Sequence, residues 1–202
     1  SDLTTQTSRI DSQLVKDGNL NKLCYAGPVI RTKTAQTQSR ELYQVGIEFF
    51  GEPGISADIE VQKVLISSLK LLGINNVTLD INHLDIYTNL ILNLGLSEED
   101  KVNVAEALII KDTAALKSIV KRYSKSDASQ QLIELSNLYG DKTVLDQLVK
   151  LIPGNKVIKS TIDKLKSLHD VLIKTGTKIS FDFSDIRGYQ YHSGLIFSAY
   201  SP

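Results

Sequence analysis

Apolar and polar positions along the first eighty residues alternate with two periods. Residues 22–31 (KLCYAGPVIR) and 42–50 (LYQVGIEFF) have the length and the β-branched and aromatic content of strands. The polar stretch TKTAQTQSRE between them is too long for a tight hairpin turn, which makes it a candidate functional loop. In SADIEVQKVLISSLKLLG, Val61, Val64, Leu65, Leu69 and Leu72 fall on one helical face, with Ser56 as a candidate cap and Gly73 as a stop. Val77, Leu79 and Ile81 then alternate as a third strand. Ahead of them, SDLTTQTSRIDSQLVKDG predicts a short amphipathic helix with Asp2 and Thr4 as candidate caps, Ile10 and Leu14 on its apolar side, and Gly18 as its stop.

From Leu84 to about Lys174 strand signals vanish and short helices succeed one another. Ser97-x-x-Asp100 has the form of a capping box, and Asp112, Asp127 and Asp141 stand where caps belong. Pro153-Gly154 punctuates before a last helix over roughly 156–175, and strands return at 178–184 and 193–200. The pattern predicts an α+β chain: a sheet core from 1–83 and 177–202, a helical insertion over 84–176, and final strands that rejoin the first sheet. Segments from opposite ends of a sequence that meet in one sheet commonly enclose a site.

Charge narrows the partners. The chain has 23 Lys and Arg against 23 Asp and Glu, with a pI near 6.8. Nucleic-acid binders usually carry a basic excess, so RNA is not expected as a main partner. Cys24 is the single cysteine, which precludes an internal disulfide framework and a four-Cys zinc site and fits a reducing compartment. No apolar run reaches membrane-spanning length and no leader pattern opens the chain, so the expected location is cytoplasmic. With no initiator Met and an end at Ser201-Pro202 just after a strand-like run, the expectation is a piece of something longer.

Common catalytic signatures are absent: no G-x-x-x-x-G-K-[ST], no G-x-G-x-x-G and no H-E-x-x-H. His83, His169 and His192 lack metal-ligand spacing, so neither metal nor cofactor is expected. His169 lies in the last helix pattern and reads as solvated or structural, His83 as a ligand contact or a structural residue. Cys24 reads as a small buried apolar group.

Two segments stand out. In SRELYQVGIEFFGE, Gln44 and Glu48 lie four apart and so share one sheet face, with Arg40 at the same parity. An ionisable Glu beside Gln is costly on a dry face and natural on a polar ligand floor; a half-exposed face is the plain alternative. In FDFSDIRGYQYHSGLIFSAY, Arg187 offers a planar fork for a carboxylate. Gly188 permits close backbone approach, and Tyr189, Tyr191 and His192 supply aromatic walls with polar tips. A carboxylate for an ammonium and an Arg for a carboxylate are what an amino-acid pocket requires.

Three blocks, LCYAGPVIRT, SRELYQVGIEFFGE and DIRGYQYHSGLIF, resemble in order and spacing the catalytic core of histidyl-tRNA synthetases and of their non-synthetase paralogues, the regulatory subunits of ATP phosphoribosyltransferase. The resemblance covers nearly the whole chain. It implies a class II aminoacyl-tRNA synthetase-like antiparallel sheet flanked by helices, with an all-helical insertion. Two departures separate the branches. The synthetase pattern F-R-x-E is matched by Arg31, but Lys33 replaces the Glu, and a Lys cannot accept a hydrogen bond from the adenine amino group. In R-G-x-x-Y-Y, Arg187, Gly188 and Tyr191 match and His192 replaces the second Tyr. The wording YAGPV, DIRGYQYHSG and LDINHLDIY resembles the regulatory branch.

That branch implies a non-catalytic subunit in histidine biosynthesis, which activates a short-form catalytic ATP phosphoribosyltransferase subunit and transmits histidine feedback. It implies histidine as ligand, a homodimeric full-length parent, and no tRNA. By resemblance the histidine pocket comprises Asp2, Thr4, Gln44, Glu48, Arg187, Tyr191 and His192, and Arg31 and Arg40 mark a vestigial nucleotide site. The alternative is the core of a true histidyl-tRNA synthetase.

Overall fold

A computed structural model describes residues 2–14, 20–31, 39–123 and 127–202. The chain divides into two compact units, residues 1–65 and 66–202.

The first unit is built on a hairpin sheet. Strands β1 (Asn21–Ile30) and β2 (Glu41–Phe50) pair antiparallel, with Leu23 opposite Glu48, Tyr25 opposite Gly46 and Gly27 opposite Gln44. Helix α1 (Leu3–Leu14) rests on the face carrying Tyr25, Gly27, Gln44 and Glu48; a Cβ at Gly27 would stand 3.6 Å from Leu3 Cδ1. The opposite face carries Cys24, Ala26, Pro28, Ile30, Tyr43 and Val45, all exposed, with Tyr43 and Val45 each 72 % open. Only its far end is sheltered. There helix α2 (Ile55–Leu71) brings Val61 and Val64 over Cys24, Ile47 and Phe49, and Lys22 reaches both Glu60 (2.6 Å) and the Phe49 ring (4.8 Å).

Several expectations for this region change. Cys24 is exposed rather than buried, because the strand face that holds it is mostly uncovered. Asp2 caps α1 by accepting the Thr4 amide at 3.3 Å, whereas Thr4 lies inside the helix and Ile10 is exposed; Gly18 lies outside the described residues. Ser56 falls within α2 rather than before it. The buried positions of α2 are Ala57, Gln62 and Ile66, and Val64 and Leu72 are exposed. The apolar repeat of this helix is broad, so periodicity alone does not say which edge of it is covered. Gly73 does end the helix, at φ 82°, with the Ile74 amide bonded to Leu69 O at 2.9 Å.

The second unit holds β3 (Thr78–His83), β5 (Lys178–Asp182), β6 (Leu195–Tyr200) and the two-residue β4 (Tyr139–Gly140), in the order β4-β5-β3-β6. β3 and β5 run parallel and the other pairs antiparallel. A parallel pair needs a long crossover. Here that crossover is the helical stretch: α3 (Leu84–Leu92), α4 (Glu98–Ile109), α5 (Thr113–Val120), α6 (Asp127–Leu135), α7 (Thr143–Leu151) and α8 (Lys156–Leu172), closed by a 3-10 turn at Ile173–Thr175. β4 is the one strand it contributes among the described residues. The returning strands pair with β3, not with β1 or β2 as expected.

The caps explain where the helices begin. Ser97 caps α4 and Asp112 caps α5, as the spacing predicted, and Asn155 caps α8. Asp141 takes the Thr143 amide at 2.9 Å. Asp100 does not close the capping box; its carboxylate turns to Arg122 and Tyr123 instead. One face of the sheet (Leu79, Ile81, Ile179, Phe181) is buried apolar, and Leu108, Leu116, Leu132, Leu145, Leu165 and Leu168 of the helices are fully buried as well. The other face is polar: Thr78, Asp80, Ser180, Asp182, Ser198 and Tyr200.

Candidate ligand-binding site

On the covered face of the hairpin sheet, parity and register place Gln44 and Glu48 on one strand with Tyr25 across from them. Gly46 stands between the two polar residues, and the Tyr25 ring lies directly over it, where a Cβ would collide with the ring. The phenol therefore reaches along the face. Its oxygen lies 3.3 Å from Glu48 Oε1, 3.5 Å from Gln44 Nε2 and 3.1 Å from Thr4 Oγ1. Gln44 clamps the start of α1: Nε2 donates to Asp2 Oδ1 at 2.9 Å, and Oε1 accepts the Leu3 amide at 3.2 Å.

These contacts tune the groups. The Gln44 hydrogen bond is the main influence holding Asp2 below the usual carboxylate range, aided by the Thr4 amide and the Arg31 charge. Burial and the nearby Glu48 push the Tyr25 phenol up, although the Thr4 bond opposes this. Four of the expected residues, Asp2, Thr4, Gln44 and Glu48, are thus joined in one network. Tyr25 and Gly46 were missed. A glycine between two polar residues of one strand face was the available signal, since it marks a close approach.

Within the second unit, Arg187 lines a cavity of about 430 Å³ with Asp80, Ile109, Asp182, Ser184, Asp185 and Tyr200. Its fork is engaged by Asp185 (2.7 and 2.5 Å) and by the Tyr200 hydroxyl (2.7 Å). The pairing lowers Asp185 and raises Arg187 further above its ordinary value. Burial raises Asp80, against a hydrogen bond from the Ser180 hydroxyl and with the Asp182 and Asp185 charges adding to the rise. Lys111 Nζ bonds Asp182 at 2.8 Å and sits 3.8 Å from the Tyr139 ring centroid. Lys111 is also the non-glycine residue at positive φ (57°) among those described.

Tyr191 and His192 are not among the residues lining this cavity. Tyr191 is 87 % exposed, and the His192 ring packs against Gly188, which holds φ 79° in the tight turn 188–192. Tyr189 turns inward and meets the Tyr87 ring edge-on at 5.6 Å. Arg31 and Arg40 are exposed at the ends of β1 and β2, where the Arg31 amide bonds Arg40 O at 2.9 Å; Lys33 lies outside the described residues. His83 is buried and structural: its Nδ1 accepts the Asp85 amide at the start of α3, and burial lowers its pKa. His169 packs near Phe181 and pairs with Asp170. Among the described residues no three His, Cys, Asp or Glu gather to hold a metal, and no helix is long and apolar enough to cross a membrane.

A hairpin sheet with a polar floor, joined in sequence to a mixed sheet with a helical crossover, defines the class as class II aminoacyl-tRNA synthetase-like. The family model described as histidyl-tRNA synthetase matches residues 1–202, and the chain belongs to that family. Curated relatives are named ATP phosphoribosyltransferase regulatory subunit. The one from Methylobacillus flagellatus is 35 % identical over 201 residues, covering 99 % of this chain and 52 % of the relative. That from Nitrosomonas eutropha is 36 % identical over 204 residues, with the same coverage. The chain therefore spans about half the length of these relatives. A crystal structure of an ATP phosphoribosyltransferase regulatory subunit/histidyl-tRNA synthetase from Bacillus halodurans superposes with TM-score 0.85 at 25 % identity, covering 99 % of this chain and 53 % of that one. In the ATP phosphoribosyl transferase (HisG:HisZ) complex from Thermotoga maritima the same fold recurs, with TM-score 0.76 at 19 % identity over 98 % of this chain and 69 % of that one.

Proposed function

We propose that this chain is the core of a regulatory subunit of ATP phosphoribosyltransferase, without bond-making chemistry of its own, that binds histidine. One observation carries the reading: Asp2, Gln44 and Glu48 share a single network through Tyr25 on one sheet face. Two carboxylates, an amide and a phenol suit a ligand with an ammonium and an imidazole, and Glu48 supplies the counter-charge for the ammonium. Arg187, Tyr191 and His192 keep the roles that the family resemblance assigns them. Arg187 would meet a ligand carboxylate by exchanging Asp185 for it. Arg31 and Arg40 would be remnants of a nucleotide site. The stretch 84–176 would be an insertion in a core formed by 1–83 and 177–202.

In the assembly, this subunit would activate a short-form catalytic subunit and, as a dimer in its full-length form, pass on histidine inhibition. That requires histidine to bind the inhibited state of the assembly more tightly than the active one. The test adds the full-length parent to the isolated short-form catalytic subunit and assays phosphoribosyl transfer with and without histidine. Activation relieved by histidine is expected, and no change in rate sinks the reading. A true synthetase is the rival, favoured by the family model's description. Lys33 in place of Glu argues against it, and measurable charging of tRNA-His by the parent would establish it.

A further inference from the structure

The turn between α7 and α8 forms a groove of about 330 Å³ with an unusual division of chemistry. Its floor is Val149, Ile152, Pro153 and Ile162, and its rim carries Lys156 and Lys159. No carboxylate lines it. Lys150, next to Val149 in sequence, does not line the groove, and its charge is shared with Asp146 one turn back. The ion pairs of this helical hairpin, Lys142–Asp170 and Lys166–Asp146, leave Lys156 and Lys159 out, and both are exposed. They also sit in the first turn of a seventeen-residue helix that has no acidic residue there. Cations at the positive end of a helix are unfavourable on their own. No ion pair among the described residues holds Lys156 or Lys159, although Asp163 stands one turn beyond Lys159; the open part of the floor beside them is Val149, 41 % exposed, and Pro153, while Ile152 and Ile162 are buried.

We infer that this groove docks an acidic segment of a partner protein that inserts an apolar side chain between its carboxylates. The two halves of the site select together. A phosphate or other small anion would satisfy the lysines but gain nothing from the floor, whereas a neutral apolar peptide would leave the rim unpaired. The volume, at the lower end of small-ligand pockets of about 300–1,000 Å³, suits one or two aliphatic side chains. The inference stands apart from the histidine reading and gives the helical stretch a role as an interaction surface.

The test uses the full-length parent and a fluorescein-labelled peptide, E-E-L-L-E-E, followed by anisotropy at low salt. Controls are E-E-S-S-E-E, K-K-L-L-K-K and unlabelled inorganic pyrophosphate as competitor. The leucine peptide should bind about tenfold or more tightly than either control, weaken as salt rises, and resist displacement by pyrophosphate. The double variant Lys156→Glu/Lys159→Glu and, separately, Val149→Ser should each lower its affinity severalfold without lowering the melting temperature. Equal binding of the serine peptide, or displacement by pyrophosphate, would reduce the site to an anion contact and overturn the proposal. So would undetectable binding of the leucine peptide, or binding that ignores both variants.

Discussion

The two sheets distribute their faces in opposite ways. In the four-stranded sheet the apolar face is enclosed, with Leu79 and Phe181 fully buried, and the polar face lines the Arg187 cavity. In the hairpin sheet the covered face, under the start of α1, mixes the buried Val29 with the polar Gln44 and Glu48, and the other face stands largely open at Pro28, Ile30, Tyr43 and Val45. One sheet is held together by what it hides. The other uses its covered side to position Gln44, Glu48 and Tyr25. Cover over a sheet face therefore serves two ends here, stabilising through Leu79, Phe181 and Val29 and arranging polar groups through Gln44, Glu48 and Tyr25.

Substitution tests that contrast most directly. Phe181→Ala should cost about 3–5 kcal/mol, because it removes a wholly buried ring that neighbours Phe183 and His169. Val45→Ala, on the open face, should change stability by no more than about 0.5 kcal/mol. Denaturant unfolding of the 202-residue chain measures both, and similar costs would mean that the Val45 face is covered after all.

A smaller loss is expected at the polar floor. Glu48→Ala should weaken histidine binding by about 1.5–3 kcal/mol, or tenfold to a hundredfold, as the ammonium loses its counter-charge. Calorimetry on the full-length parent reads this, and unchanged affinity would remove Glu48 from the site. Gly46→Val should push the Tyr25 ring off the face, at about 1–3 kcal/mol of stability, and weaken histidine binding with it. Full stability together with full binding would show that the ring's position over Gly46 does not matter.

A pH-dependent loss is expected at His83, at the end of the buried strand. Burial depresses its pKa below the usual 6.5, with Asp85 opposing and Lys164 adding to the fall. A depressed group contributes its stability in full above the unfolded value and loses it as pH falls from there towards the folded pKa. Stability should therefore decline below about pH 6.5, by at most about 1.4 kcal/mol per pH unit for one proton. His83→Asn, which can still accept the Asp85 amide as a cap, should flatten that slope. A slope that persists unchanged would assign the titration to another group.

What the sequence determined by itself was local. The strand pair at 21–30 and 41–50, the caps at Ser97 and Asp112, and the shared parity of Gln44 and Glu48 all follow from periodicity and from capping chemistry that spans a few residues. The three-block resemblance added the family, because ordered spacing across a whole chain is itself sequence information. Which face of an element becomes covered depends on a partner element far along the chain, and alternation cannot name that partner. Hence Cys24 and Leu72 proved open, and the strands at 178–182 and 195–200 joined β3 rather than the hairpin. The tertiary structure alone also decided that Tyr25 lies over Gly46 and binds the polar floor, and that Asp185 already holds the Arg187 fork. A hydrogen-bonding group states in sequence what it can bind; only packing, which sets distance and direction, decides what it does bind.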